Sequence, residues 1–329
     1  MIKKLLAFQA VLLAAFAVTG FVYAEGEADD PGATGGYGCD SYDHTGGDCS
    51  VVWYKYTYNS NATSANPQTW IPSATNGSTL WGEAGNIGKV GDDDLGQLFK
   101  SDQEQYGIKS LLLKGKNSSG RAMVFITAPN AERTFAVYLG AALELVPEDL
   151  KLEYFQGYDY FHIEGYLVQN QATIRRAVEL AKEAGCIISL DMASYNVVES
   201  NDAFLHDIVE NYVDIVFANE TEAKAFTKME PREALDEIAR HCSIAVVKVG
   251  KDGSMLKSGE QCHFIPAWPA TPVDATGAGD TYAAGFLYAH SLGMPLKVCG
   301  EVGSIIAAQV VEVVGTKIDS PRWKMAKAE

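Results

Sequence analysis

The segment VDATGAGD (residues 273–280) sets two glycines and a carboxylate directly before a helical pattern, TYAAGFLYAHSLG (281–293). Glycine at 277 and 279 lets the backbone turn so that successive N–H groups point one way. The following helix brings the positive end of its dipole to the same spot. Gly277, Ala278 and Gly279 therefore read as an anion hole. Asp280 stands at its rim, where a carboxylate can take the proton of a hydroxyl that attacks a phosphoryl group held by those amides. A plain helix cap by Asp280 fits the same letters.

Two other short segments carry polar groups at the ends of apolar runs. In VFANETEAKAFT (216–227), Asn219 with Glu222 three residues on forms a capping box at a helix start. In KVGKDGS (248–254), Lys248 ends an apolar strand, and Gly250 and Gly253 suit a hairpin turn. His162, His241, His263 and His290 have no partner at metal or triad spacing and read as structural. Nucleophile-elbow, Walker and HExxH patterns are missing, and Gly-Ala-Gly does not extend to the dinucleotide-binding spacing.

The elements that position these residues come from a steady rhythm after residue 88. A strand at 158–165 precedes a helix at 172–184 that stops at Gly185, followed by the fully apolar strand 186–191. A helix around 203–212, a strand at 213–218, two helices opening at Asn219 and Pro231, and a strand at 243–250 continue the alternation. Such βαβα order predicts a parallel sheet covered by helices on both faces. Before it, LLLKG (111–115), RAMVFIT (121–127) and RTFAVYLG (133–140) predict a small antiparallel flap.

The chain has 329 residues, 47% hydrophobic and 21% charged, with a formal net charge of −16. That is enough for one large α/β domain or two smaller ones. No Lys/Arg run offers the footprint that a polyphosphate backbone requires, which argues against nucleic acid as a partner. Cys186, Cys242, Cys262 and Cys299 lie singly in apolar surroundings and read as buried thiols. The N-terminus differs in texture. Residues 1–24 form a basic start, an apolar run and a small-residue cleavage site ending at Ala24, the pattern of a secretory signal. The same run left uncleaved is an alternative membrane anchor. Residues 25–81 are dense in Gly, Ser, Thr and Asn, predict a loop-rich or disordered segment with one strand at 51–58, and hold Cys39 and Cys49, which can bridge if the segment is exported.

From residue 82 to 323 the chain resembles the PfkB (ribokinase-like) carbohydrate and nucleoside kinases, nearest their adenosine kinase-like branch. The resemblance rests on DATGAGDTYAAGF (274–286), supported in order by GKVGDDDLGQLFKSDQEQYGI (88–108), SGRAMVFITAPNAERTFAVYLGAA (119–142), EGYLVQ, LDMASYN and VFANETEAKAFT. It implies a three-layer α/β/α parallel sheet with a small β lid, and transfer of the γ-phosphate of ATP to a hydroxyl of a nucleoside or sugar. By the likeness Asp280 is the catalytic base, and Gly277, Ala278 and Gly279 form the anion hole. Asn219, Lys248, Gly250 and Gly253 would lie along ATP, and Glu222 would organise Mg²⁺ through water. Asp274 and Thr276 would be ligands of a monovalent cation, K⁺, with main-chain positions near Val310 and Gly315. Arg133 would reach a phosphate on lid closure, although an exposed lid charge explains it too.

The resemblance breaks at the N-terminus. A first strand with Gly-Asn and a hydroxyl-gripping Asp, and a Gly-Gly-x-x-x-Asn segment, are not found. The expectation is a sheet without its first strand and low or absent turnover, the alternative being a truncated or fused non-catalytic protein with an exported N-terminus. A cytoplasmic setting is implied for the kinase-like part, against the exported start. No stable membrane partner is expected unless residues 1–24 are retained.

Overall fold

The computed structural model describes residues 5–8, 51–53, 84–105, 108–127, 132–313, 315–316 and 318. Its centre is a nine-stranded sheet. In chain order the strands of that sheet are β1 (Leu5–Phe8), β3 (Ala84–Val90), β4 (Ile108–Lys114), β7 (Tyr160–Glu164), β8 (Ile187–Asp191), β9 (Ile215–Asn219), β10 (Ile244–Lys248), β11 (Ser254–Ser258) and β12 (Gln261–Ile265). Their spatial order is β12-β11-β10-β9-β8-β7-β1-β3-β4. All pairs from β10 to β4 are parallel, while β11 and β12 complete the sheet antiparallel.

Alternation along each strand divides the core into two sides. Phe161, Ile163, Ile188, Leu190, Val216, Ala218, Ala245 and Val247 pack under α2 (Gln171–Glu183), α3 (Tyr195–Ser200), α4 (Asp202–Asn211), α5 (Glu220–Thr227) and α6 (Pro231–Ile238). Tyr160, Ile215, Phe217, Ile244 and Val246 face the other way, against α7 (Ala278–Ser291) and α8 (Leu296–Val311). The result is the three-layer α/β/α arrangement the alternation predicts. Helix α2 illustrates why the segments fold locally. Asn170 caps it by accepting from Thr173 N–H, its Ile174, Ala177, Val178 and Ala181 are buried, and Gly185 ends it at φ 83°.

Helices α7 and α8 approach closely because both carry glycine at the crossing. A Cβ on residue 285 would stand 2.9 Å from Val302 O, and one on residue 303 would stand 2.9 Å from Tyr282 O. Buried hydroxyls pin α7 to the sheet: Tyr160 Oη pairs with His290 Nδ1 at 2.8 Å and Ser254 Oγ with Tyr282 Oη at 2.7 Å. Residue 280 is thereby set at a fixed height above the strand ends.

Three expectations need correction. The sheet does have its first strand: Leu5–Phe8 lies parallel between β3 and β7, pairing Leu5 with Ala84 and with Tyr160. A central parallel strand is buried on both faces and reads as a continuous apolar run, so the letters that suit a secretory leader suit this slot as well. LLLKG belongs to β4, at the sheet edge, and not to the flap. The flap consists of β2 (Val51–Trp53), β5 (Arg121–Thr127) and β6 (Glu132–Tyr138) in antiparallel order β2-β5-β6. Finally, of the four expected buried thiols Cys186 and Cys299 are buried, Cys242 is half-buried, and Cys262 is exposed on the edge strand β12. Cys39, Cys49 and the cleavage site at Ala24 lie outside the described residues.

Helix α1 (Asp94–Gln105) follows β3 and ties the flap to the sheet. Asp93 accepts from Gly96 N–H, Ser119 N–H and the Ser119 hydroxyl at 2.9, 2.8 and 2.6 Å. Gly91 passes so close to this loop that a Cβ would stand 2.5 Å from Ser119 N. Among the described residues, no helix is long and apolar enough to cross a membrane.

Candidate active site

The strands on the α7 side end in polar groups. Register places Glu164 of β7 beside Asp191 of β8, Asp191 beside Phe217 of β9, and Asn219 of β9 beside Lys248 of β10. Glu164 and Asp191 are buried, and Lys248 Nζ donates to Asp191 Oδ2 at 2.6 Å. The row lies at the carboxyl ends of parallel strands, where open α/β sheets bind ligands.

Above it stands the N-terminus of α7. Gly277 is the N-cap residue at φ 76°, a left-handed conformation that glycine adopts without strain, and a Cβ there would meet Thr316 Cγ2 at 2.8 Å. The first i→i−4 bond of α7 runs from Thr281 N–H to Gly277 O at 2.9 Å. The amides of Gly279 and Asp280 precede that ladder and face out of the helix end. Ala278 N–H turns back to Ala275 O at 3.3 Å. The space a side chain would take at Gly279 is held instead by Lys248 Nζ, 3.0 Å from the Cβ position.

The loop before the hole is tied at both ends. Asp274 Oδ1 accepts from Thr276 N–H and Oγ1 at 2.9 and 2.6 Å, and Oδ2 accepts from Gly315 N–H at 2.9 Å. Val273 and Asp274 N–H both donate to Val311 O. Asp274, Thr276 and the main chain near residues 311–315 are thus one constellation.

Asn219 and Glu222 form the capping box. Asn219 Oδ1 accepts from the amides of Thr221 and Glu222 at 2.9 Å, while Glu222 accepts from Asn219 N–H at 2.7 Å and from Asn219 Nδ2 at 2.6 Å. Burial, joined by the Asp191 charge, pushes the Glu222 carboxyl up to about 7, against the pull of Lys248. Asp280 is raised as well, first by burial, then by Glu164 and Asp191. Lys248 is raised too: burial works to neutralise it, but Asp191, Glu222 and Asp280 outweigh burial and hold its ammonium charged.

Gly250 and Gly253 sit in the β10–β11 hairpin at φ 55° and 112°, as the turn chemistry predicts. Gly253 is further confined by Ile265 O, 2.0 Å from where its Cβ would be. The side chain of Arg133 lies outside the described residues. His162, His241 and His290 make protein contacts; His162 pairs with Ser189 Oγ at 2.8 Å and Glu164 Oε1 at 3.4 Å.

Glu164 and Asp191 are the site groups that the sequence reading missed. Each closes an apolar strand, and their signal was the carboxylate at the last position of YFHIE and IISLD. Only the strand register reveals that both share a face with Lys248.

A parallel sheet with a glycine-bent helix start over its strand ends, carboxylates beside it and a small three-stranded flap define a phosphotransferase of the ribokinase-like α/β class. The model of the pfkB family carbohydrate kinases matches residues 71–323, and the chain belongs to that family. It is 27% identical over 242 residues to an uncharacterized sugar kinase of Archaeoglobus fulgidus, covering 73% of this chain and 96% of that one. It is 27% identical to a nucleoside kinase of Methanothermobacter thermautotrophicus, covering 74% and 78%. Among solved structures, the adenosine kinase from Sinorhizobium meliloti superposes with a TM-score of 0.70 and 32% identity over 75% of this chain and 78% of that one. A putative ribokinase II from E. coli, solved with ATP and Mg²⁺, has a TM-score of 0.74 over 99% of both chains at 18% identity, a likeness of fold.

Proposed function

We propose that the protein transfers the γ-phosphate of ATP to a hydroxyl of a nucleoside or sugar, with an adenosine-like nucleoside as the first candidate. The observation that carries this reading is the placement of Asp280 in the first turn of α7, beside amides that precede the helix ladder and beside the charged Lys248. The likeness to an adenosine kinase supports the substrate class.

In this reading the amides of Gly277 and Gly279 bind phosphoryl oxygens, the Ala278 amide of the expected hole being turned back to Ala275 O, and the Asp280 carboxylate takes the hydroxyl proton as the new P–O bond forms and the bond to the ADP oxygen breaks. Lys248 offsets developing negative charge, and the Gly250 and Gly253 hairpin borders the nucleotide. The donor set fits Mg²⁺. Mg²⁺ leans on one or two carboxylates, waters and substrate phosphates, and the Glu222 carboxylate beside the Asn219 amide at the strand end is of that kind. Asn219 and Glu222 would hold it through water, and when bound it supplies charge neutralisation on the phosphates. K⁺ is proposed beside Asp274 and Thr276, whose loop is tied to the turn at Gly315 next to the hole. The expected partners are small molecules, and the proposed setting is the cytoplasm, where ATP is abundant.

The test is ADP release with adenosine, inosine and ribose as acceptors, comparing the protein with Asp280→Asn. The reading expects turnover with at least one acceptor and a loss of at least about a thousandfold in the variant. Turnover that survives the substitution at full rate would remove Asp280 from the chemistry. K⁺, Na⁺ and choline salts at equal ionic strength test the cation; equal rates in all three exclude it.

A further inference from the structure

Asp191 has no role in the reading above, yet its carboxylate is the group that decides where the Lys248 ammonium lies. We propose that Asp191 is a positioning residue for the phosphate site, holding Lys248 against the first turn of α7. This rests on the proposed kinase function.

The geometry builds from the strand ends. Asp191 is the last residue of β8, and its two oxygens have different tasks. Oδ1 accepts from Ala193 N–H at 3.1 Å, and Oδ2 accepts from Lys248 Nζ at 2.6 Å. Ala193 adopts the left-handed conformation at φ 63°, unusual for a residue with a side chain, and its carbonyl accepts from Tyr166 Oη at 3.2 Å. The chain thus bends immediately after β8 in a way that fixes one carboxylate oxygen to the backbone. The other oxygen is left aimed along the sheet at β10.

Lys248 is long and flexible, and an unanchored ammonium on four methylenes samples many rotamers. Here it is confined on both sides. Its side chain is 16% exposed and that of Asp191 is 6% exposed. Nζ fills the space that glycine leaves at position 279, within the turn that presents the amides. Gly279, Lys248 and Asp191 therefore form a stack from the anion hole down to the strand end. The bare glycine admits the ammonium, and the carboxylate keeps it there.

This arrangement makes a prediction opposite in sign to that of a bare charge. Asp191 is an anion close to where phosphates would bind. If it acted only through its charge, neutralising it would tighten nucleotide binding. If it positions Lys248, neutralising it releases the ammonium and weakens binding.

The experiment uses the full chain and measures Mg²⁺–AMP-PNP affinity by calorimetry for the protein, Asp191→Asn, Lys248→Met and the double variant. Steady-state KM for ATP and for the acceptor is measured in parallel, and circular dichroism checks folding. Positioning expects about a tenfold weaker nucleotide affinity in Asp191→Asn, an ATP KM that moves with it, and an acceptor KM that does not. The double variant should be no weaker than Lys248→Met alone, and Asp191→Glu should recover part of the affinity. Unchanged or tighter binding in Asp191→Asn, or independent losses that multiply in the double variant, overturns the proposal. Should Asp191→Asn not fold, Asp191→Ser, which also removes the charge, takes its place in the cycle under the same criteria. A protein that binds nucleotide without phosphorylating any acceptor defeats the kinase reading while the binding cycle still decides this one. A protein that binds no nucleotide defeats both.

Discussion

Asp274 and Gly315 are forty-one residues apart in sequence and joined by a 2.9 Å hydrogen bond from the Gly315 amide to Oδ2. The other oxygen of the same carboxylate orders Thr276. One side chain therefore sets both the loop that leads into the anion hole and the turn that follows α8.

Replacing Asp274 with Ala leaves the Gly315 and Thr276 amides without this acceptor. An expected loss of about 1–3 kcal/mol in urea unfolding should accompany a raised KM for ATP. An unchanged unfolding midpoint together with an unchanged KM would mean that the loop is held by other contacts.

Gly277→Ala separates backbone geometry from mere side-chain loss. At φ 76° and 2.8 Å from Thr316 Cγ2, the added methyl meets both strain and a neighbour, costing about 1–3 kcal/mol and most of the turnover. Gly293→Ala is the control, with a similar φ of 73° and nothing within 4 Å. It should lose about 1 kcal/mol and keep full activity. Equal effects of the two on turnover would show that the bend at 277 has no part in catalysis.

Asn219 can be divided between its two proposed roles. Asn219→Ala removes the helix cap and should cost about 1 kcal/mol, whereas Asn219→Ser keeps a capping oxygen. Both remove the Nδ2 contact to Glu222, so both should raise the Mg²⁺ concentration needed for half-maximal rate. A serine variant with wild-type Mg²⁺ dependence would confine Asn219 to capping.

Asp93 gives the fold a dependence on acid. Partial burial opposes ionisation, but bonds from the Ser119 hydroxyl and the Gly96 and Ser119 amides outweigh it and hold the carboxyl below its ordinary 3.8. A depressed pKa contributes stability that is present above the unfolded value and lost as pH falls through the folded one. Asp93→Asn should thus lower the melting temperature at pH 7 and flatten its decline below pH 4. Parallel melting curves for the two proteins across that range would refute the assignment.

Periodicity exposed most of the α/β alternation, because α2 and β7 to β10 are amphipathic or apolar in the way their burial demands. The motif at 277–280 stood out equally, since Gly277 holds a positive φ against Thr316 and Gly279 leaves its side-chain space to Lys248. Glu164 and Asp191 were hidden, because a carboxylate at the end of an apolar strand looks like the beginning of a loop until the register is known. LLLKG misled for a related reason: a short edge strand and a flap strand have the same composition, and only pairing with β3 tells them apart. Leu5–Phe8 was the hardest. Nothing local distinguishes a central parallel strand from a leader's apolar stretch.

That ambiguity can be tested on the protein itself. Residues 5–8 fill the slot between β3 and β7, so a chain lacking residues 2–24 should have an open seam in its sheet. It is expected to aggregate or to melt well below the full chain, and intact mass of the purified, active protein should retain the first residues. A folded, active shortened chain would show that the slot needs no occupant.

The strand is made first and seated last. Leu5 leaves the ribosome long before Ala84 and Tyr160, the residues it lies between, so for most of synthesis it is an apolar segment with nowhere to bind. The slot it fills exists only once β3 and β7 have both been made, so the centre of the sheet closes late, on a segment that has waited through the synthesis of its neighbours.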